Sequence, residues 1–476
     1  MRYQMYVNGE WADARSGRTW TVTNPATEER IADVPFGDAS DAEAAIAAAH
    51  DAQPGWAAMT AYARGAILRR TADLIRERLD ELAPIMTREC GKPLAEARAE
   101  WTASADLFDW FSEEGKRAYG RTIPARRENK RLLSITAPVG VVATITAWNF
   151  PAHLPARKWS GALAAGCAVV ARSSELTPMT AMALVNVMAE AGFPPGVINL
   201  VNGEPESIGA AFLKSPYVSK ISFTGSQRVG QILMRGAADG IKRLALELGG
   251  SAPVLVFDDV NIEAAAQQAV AAKFRNNGQV CISPTRFYVQ QNAYEEFLDA
   301  ARTAAEALVV GDGLQDGITT GPLVTAAGRD RVELFVRDAV AKGATVITGG
   351  ARPAGLERGY FYQPTLLTNV SPLMRVSCEE VFGPVMPVTP FATLEDGLRL
   401  ANSTPFGLAG YVLTRDLSTA VRAYEGLDFG IVGVNDLIPA TAEGPFGGVK
   451  ESGWGREGSQ EGLRDYMETK FVSIAL

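Results

Sequence analysis

Among the four cysteines of this chain (Cys90, Cys167, Cys281 and Cys378), Cys281 stands where chemistry is easiest to imagine. It closes the run Phe274-Arg275-Asn276-Asn277-Gly278-Gln279-Val280-Cys281. There Asn-Gly ends a helix that begins behind Asn261 and throws the cysteine into a loop. A lone cysteine is either a small buried hydrophobe or a nucleophile, and its company decides. Asn149, in Trp148-Asn149-Phe150-Pro151, follows an apolar segment read as a parallel strand, at the strand end where open α/β sheets place ligands. Its other reading is a turn residue before Phe-Pro. Glu247 follows Leu244-Ala245-Leu246 and opens a Gly249-Gly250 turn through which backbone can approach a ligand, or else it is a solvated charge. Phe223-Thr224-Gly225-Ser226-Gln227-Arg228-Val229-Gly230 runs from a strand through a turn into a helix whose free N–H groups can hold a phosphate. Without G-x-G-x-x-G spacing, the same residues serve equally as a plain helix N-cap.

Other chemistries are excluded by supply. With only His50 and His153, and no C-x-x-C pair, neither a histidine-rich nor a thiolate metal site is expected, nor a disulfide framework. A Ser-His-Asp triad would have to borrow one of those two histidines, and neither lies near a G-x-S-x-G elbow. Lys plus Arg number 46 against 54 Asp plus Glu, a net charge of −8, so neither nucleic acid nor a membrane surface is an expected partner. No apolar stretch reaches the roughly 18 residues that span a bilayer, and no signal-peptide core follows Met1, so a soluble, cytoplasmic protein is expected.

The elements that must position these residues follow from pattern. At roughly 150 residues per domain, 476 residues suggest about three domains. Helices are expected over 42–52 and 62–83, then strands over 139–145, 168–171, 197–201 and 220–223 alternating with helices over 154–165 and 179–191. That alternation implies right-handed crossovers and a parallel sheet. A second α/β block begins after Glu247-Leu248-Gly249-Gly250, with strands over 253–257 and 287–289 and a helix from about 262. Residues 444–458 read as a long glycine-rich loop. Short strands over 131–137 and 470–476 lie outside both blocks and are free to pair with each other or with a neighbouring subunit. No period of 20 to 50 residues marks a solenoid.

Trp148-Asn149-Phe150-Pro151, Phe223-Thr224-Gly225-Ser226, Glu247-Leu248-Gly249-Gly250, the Asn276 to Cys281 segment, Glu380-Val381-Phe382-Gly383-Pro384 and Pro445-Phe446-Gly447-Gly448 occur in that order. In this the chain resembles the NAD(P)-dependent aldehyde dehydrogenases over essentially its whole length. It is most similar to the succinate-semialdehyde and α-ketoglutaric-semialdehyde members, through the run from Trp110 to Arg117 and the segment from Phe274 to Phe287. The resemblance implies an α/β fold with a Rossmann-like parallel-sheet cofactor domain (1–119 and 139–247), an α/β catalytic domain (248–446) and a small β bridging element (120–138 and 463–476). The last would build a homodimer or homotetramer.

It also implies roles. An aldehyde carbon is a poor hydride donor until a nucleophile adds to it. Cys281 would add as thiolate to give a thiohemiacetal and, after hydride transfer, a thioester. Asn149 and the Cys281 N–H would hold the oxyanion, and Glu247 would activate the thiol or the hydrolytic water. For the cofactor, the resemblance points to Trp148, Arg172, Glu175, Thr224, Gly225, Ser226, Gly230, Leu248, Glu380 and Phe382. Arg172 stands where the family usually has lysine. Glu175 would accept from a free 2′-hydroxyl and repel a 2′-phosphate, which favours NAD, whereas Arg172 and Ser174 would welcome the phosphate of NADP. Arg157 and Arg275 match the arginines that hold the distal carboxylate of semialdehydes, a role suited to a planar fork; solvent-facing helix-end arginines are the other reading. Ser283 stands where redox-switched members carry a second cysteine, so no disulfide switch at Cys281 is expected. The expected substrate is a small aldehyde with a distal anionic group, of the succinate-semialdehyde kind, with α-ketoglutaric, glutaric and sulfonated semialdehydes as alternatives. Two other readings stay open: a coenzyme A-acylating enzyme, against which Glu247 argues, and a catalytically idle binding protein.

Overall fold

The computed structural model describes residues 1–476 and is built on two sheets with mostly parallel strands. In the first, Arg243–Glu247, Val218–Thr224, Val141–Ile145, Ala168–Arg172 and Ile198–Val201 lie side by side in that order and run parallel. Parallel strands are covered on both faces and so read as unbroken apolar runs. Val141-Val142-Ala143-Thr144 is such a run, buried throughout. The chain crosses the sheet one way from Val141–Ile145 and returns to that strand's other side at Val218–Thr224. The loops after these two strands therefore part and leave a crevice at their carboxyl ends. Two edges escaped the sequence pattern. The hairpin of Met5–Val7 and Glu10–Ala12 adds antiparallel to Ile198–Val201, and Gly453–Trp454 adds antiparallel to Arg243–Glu247.

The second sheet runs Thr345–Thr348, Thr365–Thr368, Val385–Phe391, Pro284–Gln290, Ala252–Val256, Ala409–Leu413 and Ile431–Val434, parallel except for the first of these. Only residues 248–251 separate Arg243–Glu247 from Ala252–Val256. The carboxyl end of the first sheet thus feeds directly into the amino end of the second, and the site lies at this junction. Outside both sheets, Met467–Ala475 pairs antiparallel with Lys130–Pro138 from Met467↔Pro138 to Ala475↔Lys130, with Arg121–Ile123 on the far side. The two outlying strands therefore pair with each other.

The helix expected over 62–83 is two helices, Ala61–Glu77 and Leu79–Cys90, meeting at Arg78 (φ −113°, ψ 18°). Apolar spacing continues through the break, so periodicity alone cannot see it. Charge marks it instead: Arg76 lies in the last turn of one helix, and Asp80 and Glu81 in the first turn of the next, each complementing its dipole. The helix expected over 42–52 extends over Ala39–Ala58, past Pro54, because Trp56 is buried with its Nε1 donating to Leu163 O at 3.0 Å. No helix is long and apolar enough to cross a membrane.

Candidate active site

Asn149 hangs from the carboxyl end of Val141–Ile145 in a turn fixed from several sides. Thr177 Oγ1 donates to Trp148 O at 3.1 Å, and Lys92 Nζ and Asn276 Nδ2 donate to Asn149 O at 2.8 and 3.0 Å. The side chain of Asn149 is buried, with Nδ2 donating to Gln279 O at 3.1 Å. A primary amide has two N–H groups, so one remains for a ligand.

Cys281 arrives from the second sheet. The helix Ile262–Phe274, capped by Asn261 Oδ1 accepting from Ala264 N at 2.8 Å, ends in three successive left-handed residues: Asn276 (φ 47°), Asn277 (φ 54°) and Gly278 (φ 73°). Asparagine tolerates this region and glycine prefers it. At Gly278 a Cβ would also fall 2.2 Å from Gly383 O, so the turn closes against the Glu380 to Pro384 loop. Cys281 is left half-buried. Burial, then the carboxyls of Glu247 and Glu380, push its thiol up to about 12. At neutral pH it rests as a thiol and needs a base.

Glu247, the last residue of Arg243–Glu247, is buried and neither carboxyl oxygen has a hydrogen-bond partner. A buried carboxyl left unpaired is costly, which marks a group held for use. Burial first, then the negative charge of Glu457, raises its pKa well above the ordinary carboxylate value. A Cβ on Gly447 would lie 2.9 Å from Glu247 Oε1, so the glycine leaves room for the carboxyl. Behind it sits a buried ion pair, Lys158 with Glu457, in which Ser222 Oγ accepts from Lys158 at 3.1 Å and donates to Glu457 Oε1 at 3.1 Å.

Asn149, Glu247 and Cys281 line one cleft of 240 Å³ together with Trp148, Thr224, Gly225, Ser226, Leu248, Glu380 and Phe382. The residues suit a dinucleotide. Thr224 Oγ1 is buried without a partner, and Ser226 caps the helix Gln227–Ala237, whose first turn offers free N–H groups. Gly230, on that helix, lets Leu248 close against it: a Cβ there would meet Leu248 Cδ2 at 2.7 Å. Glu380 Oε1 accepts from Gly250 N at 3.0 Å, and Trp148 and Phe382 meet edge to face with ring centroids 5.5 Å apart. Arg172 and Glu175 are not in this cleft. They form an ion pair with each other, and Arg172 Nη2 also donates to Gly203 O at 3.1 Å.

Arg157 and Arg275 lie outside that cleft as well, on the helices His153–Ala165 and Ile262–Phe274 and its end. Arg157 is buried over the Phe446 ring, 4.7 Å from its centroid, and its Nη1 has no partner. Its charge reaches Glu247 and Cys281. Arg275 sits 5.1 Å over the Phe150 ring. Burial, then both guanidiniums, hold His153 well below its usual pKa; sequence reasoning weighs that residue only as a metal ligand or triad base. Lys158, Glu457, Lys92 and Glu100 were missed: Lys158 and Glu457 pair across 299 residues, and Lys92 and Glu100, eight apart, take their meaning from the Asn149 turn, 57 and 52 residues away.

Residues 11–472 match the Aldehyde dehydrogenase family. The chain is 46% identical over 475 residues to the succinate-semialdehyde dehydrogenase [NADP(+)] of Escherichia coli (strain K12), covering 100% of this chain and 98% of that one. It is 45% identical over 475 residues, at the same coverage, to a glutarate-semialdehyde dehydrogenase of Pseudomonas putida. Among solved structures, betaine aldehyde dehydrogenase from Staphylococcus aureus in complex with NAD+ superposes with a TM-score of 0.96 at 36% identity, covering 99% of this chain and 94% of that one.

Proposed function

The chain belongs to the aldehyde dehydrogenase family, and from that premise we propose that it oxidises a small aldehyde with a distal anionic group to the acid, by way of a Cys281 thioester. It is an NAD(P)-dependent oxidoreductase acting on aldehydes. The observation that carries the finer reading is the unpaired Glu247 carboxyl sharing a cleft with Cys281 and Asn149.

Cys281 Sγ gives its proton to Glu247 and adds to the aldehyde carbon, forming a C–S bond and an oxyanion. Asn149 Nδ2 and the Cys281 N–H stabilise that oxyanion; losing one such donor typically costs on the order of 100-fold. Thr224, Ser226 with the first turn of Gln227–Ala237, and Glu380 would hold the dinucleotide, which would supply the hydride acceptor that turns the adduct into a thioester. Glu247 releases that first proton to solvent and, ionised again, takes a proton from water, whose oxygen attacks the thioester carbonyl; the acid leaves and the departing Cys281 thiolate takes the proton back from Glu247. Proton exit from Glu247 has a neighbour in the Lys158–Glu457 pair.

Arg157, with Nη1 unpartnered, and Arg275 grip the distal anion. Succinate semialdehyde is the first substrate of this reading, since the relatives above are named for succinate and glutarate semialdehydes. We place the dinucleotide on 1–119 and 139–247, catalysis on 248–446, and assembly as a homodimer or homotetramer on 120–138 and 463–476. Exposed Phe471 and Ile474 on the Met467–Ala475 strand support that last placement. A reducing, cytoplasmic setting suits four free thiols. The test is NADH or NADPH formation with succinate semialdehyde, with Cys281→Ala as control. Turnover should vanish in the variant while cofactor binding stays. Turnover in Cys281→Ala would overturn the mechanism, and none in the wild type with this substrate would move the reading to the glutaric, α-ketoglutaric or sulfonated semialdehydes.

A further inference from the structure

The helix Leu94–Glu114 carries two carboxylates four residues apart, and each reaches a different loop of the site. Glu96 Oε2 accepts from the Asn276 N–H at 2.8 Å, in the left-handed turn that leads to Cys281. Glu100 Oε1 accepts from the Ala152 and His153 N–H groups at 2.9 and 3.1 Å, the amides that open the helix after Asn149. The other oxygen of Glu100 takes the Lys92 ammonium, and both side chains are 1% exposed. Lys92 in turn donates to Asn149 O at 2.8 Å and lies 4.1 Å over the Phe150 ring.

Residues four apart on a helix stand on one face at a fixed spacing. The two loops they hold come from different sheets, Asn149 from the end of Val141–Ile145 and Cys281 from the approach to Pro284–Gln290. A buried ion pair adds little net stability over an apolar pair of the same size. The effect of this one is geometric, because its contacts end on backbone atoms of the Asn149 turn.

We propose that Lys92, Glu96 and Glu100 form one brace that holds the Asn149 amide and Cys281 at their working separation, and are positioning residues for the oxyanion site. None of the three lines the cleft. The inference rests on Asn149 being the oxyanion donor.

A double-mutant cycle between Glu100 and Asn149, read as the single-turnover rate of NADH formation, separates this from a general loss of structure. Asn149→Ala alone should slow that step on the order of 100-fold; an unchanged rate sinks the oxyanion assignment itself. Glu100→Ala alone should slow it roughly 10- to 100-fold, since a misplacement of about 1 Å carries that cost. In the Asn149→Ala background Glu100→Ala should cost little more, because the group it positions has gone. Full multiplication of the two losses would overturn the brace while leaving the oxyanion assignment standing. Should Glu100→Ala not fold, Glu100→Gln keeps an acceptor for both amides, removes the charge partner of Lys92, and is read in the same cycle. For Glu96, alanine should slow the step and glutamine should restore it, since an amide oxygen still accepts from Asn276. A glutamine variant as slow as alanine would remove Glu96 from the brace.

Discussion

Arg157 and His153 face each other one helical turn apart, Arg157 Nη2 donating to His153 Nε2 at 3.0 Å. Arginine has no acceptor, so Nε2 is the bare nitrogen and Nδ1 carries the proton. Burial, then the charges of Arg157, Arg275 and Lys92, hold the imidazole well below its usual pKa, so it stays neutral. The neutral ring fixes the guanidinium without cancelling its charge. Arg157 is therefore a buried cation with one face, Nη1, left unpaired, which is an energetic liability in a resting protein and an asset in an anion receptor.

The proposed anion-binding role of Arg157 and Arg275 makes a prediction in the form of a ratio. Losing one charge-assisted pair costs about 1.5–3 kcal/mol, or roughly 10- to 100-fold in kcat/KM. Arg157→Ala and Arg275→Ala should each impose that loss on succinate semialdehyde and spare butyraldehyde. Steady-state kinetics on both substrates read the outcome. An equal fall on both would make the arginines structural and leave the substrate preference open.

The proposed mechanism gives Glu247 two proton transfers, and its amide variant tells them apart. Glu247→Gln should slow the burst of NADH, because Cys281 loses the base that takes its proton, and should slow the steady state further, because the thioester waits for an activated water. Rapid-mixing absorbance measures burst and steady state together. A burst at the wild-type rate followed by a stall would confine Glu247 to the hydrolytic water; equal losses in both phases would assign it chiefly to the thiol of Cys281, whose raised pKa makes it dependent on a base.

The pH profile follows from Glu457. Glu247 must be ionised to accept a proton, and burial together with the Glu457 charge raises its pKa. Activity should therefore fall on the acid side at a pH above the ordinary carboxylate range. Glu457→Gln removes the negative neighbour and leaves the Lys158 ammonium uncompensated, and both changes favour ionised Glu247. The acid limb should move to lower pH in the variant. A limb that stays in place would show that another group governs it.

What the sequence made legible, and what it hid, divides along chain separation. Val141-Val142-Ala143-Thr144-Ile145 declares a covered parallel strand because nothing in it is polar at period two, and Asn276-Asn277-Gly278 declares a break because few residues sit at positive φ. Arg78 hid a helix break, since neither glycine nor proline marks it. Lys158 and Glu457 lie 299 residues apart, and Lys92 and Asn149 57 apart. Lys92 and Glu100 stand only eight apart, but the Asn149 turn they hold lies beyond the reach of local periodicity, as does Glu457 for Lys158. His153 was weighed only as a metal ligand or triad base, although its spacing of four from Arg157 placed both on one helical face.

The last prediction concerns Arg172 and Glu175. Their ion pair neutralises the carboxylate that would repel a 2′-phosphate, and it occupies the guanidinium that would bind one. Each residue thus restrains the other's preference. Glu175→Ser frees Arg172 while removing an acceptor for the 2′-hydroxyl, so both effects act in the same direction. The ratio of kcat/KM for NADP over NAD should rise by roughly 10-fold or more, the worth of one charge-assisted hydrogen bond. Kinetics with both dinucleotides at a fixed aldehyde concentration measure it. An unchanged ratio would mean that Gly203 O, which accepts from Arg172 Nη2 at 3.1 Å, keeps the guanidinium turned away from the ribose even without Glu175. Discrimination would then lie with residues other than this pair.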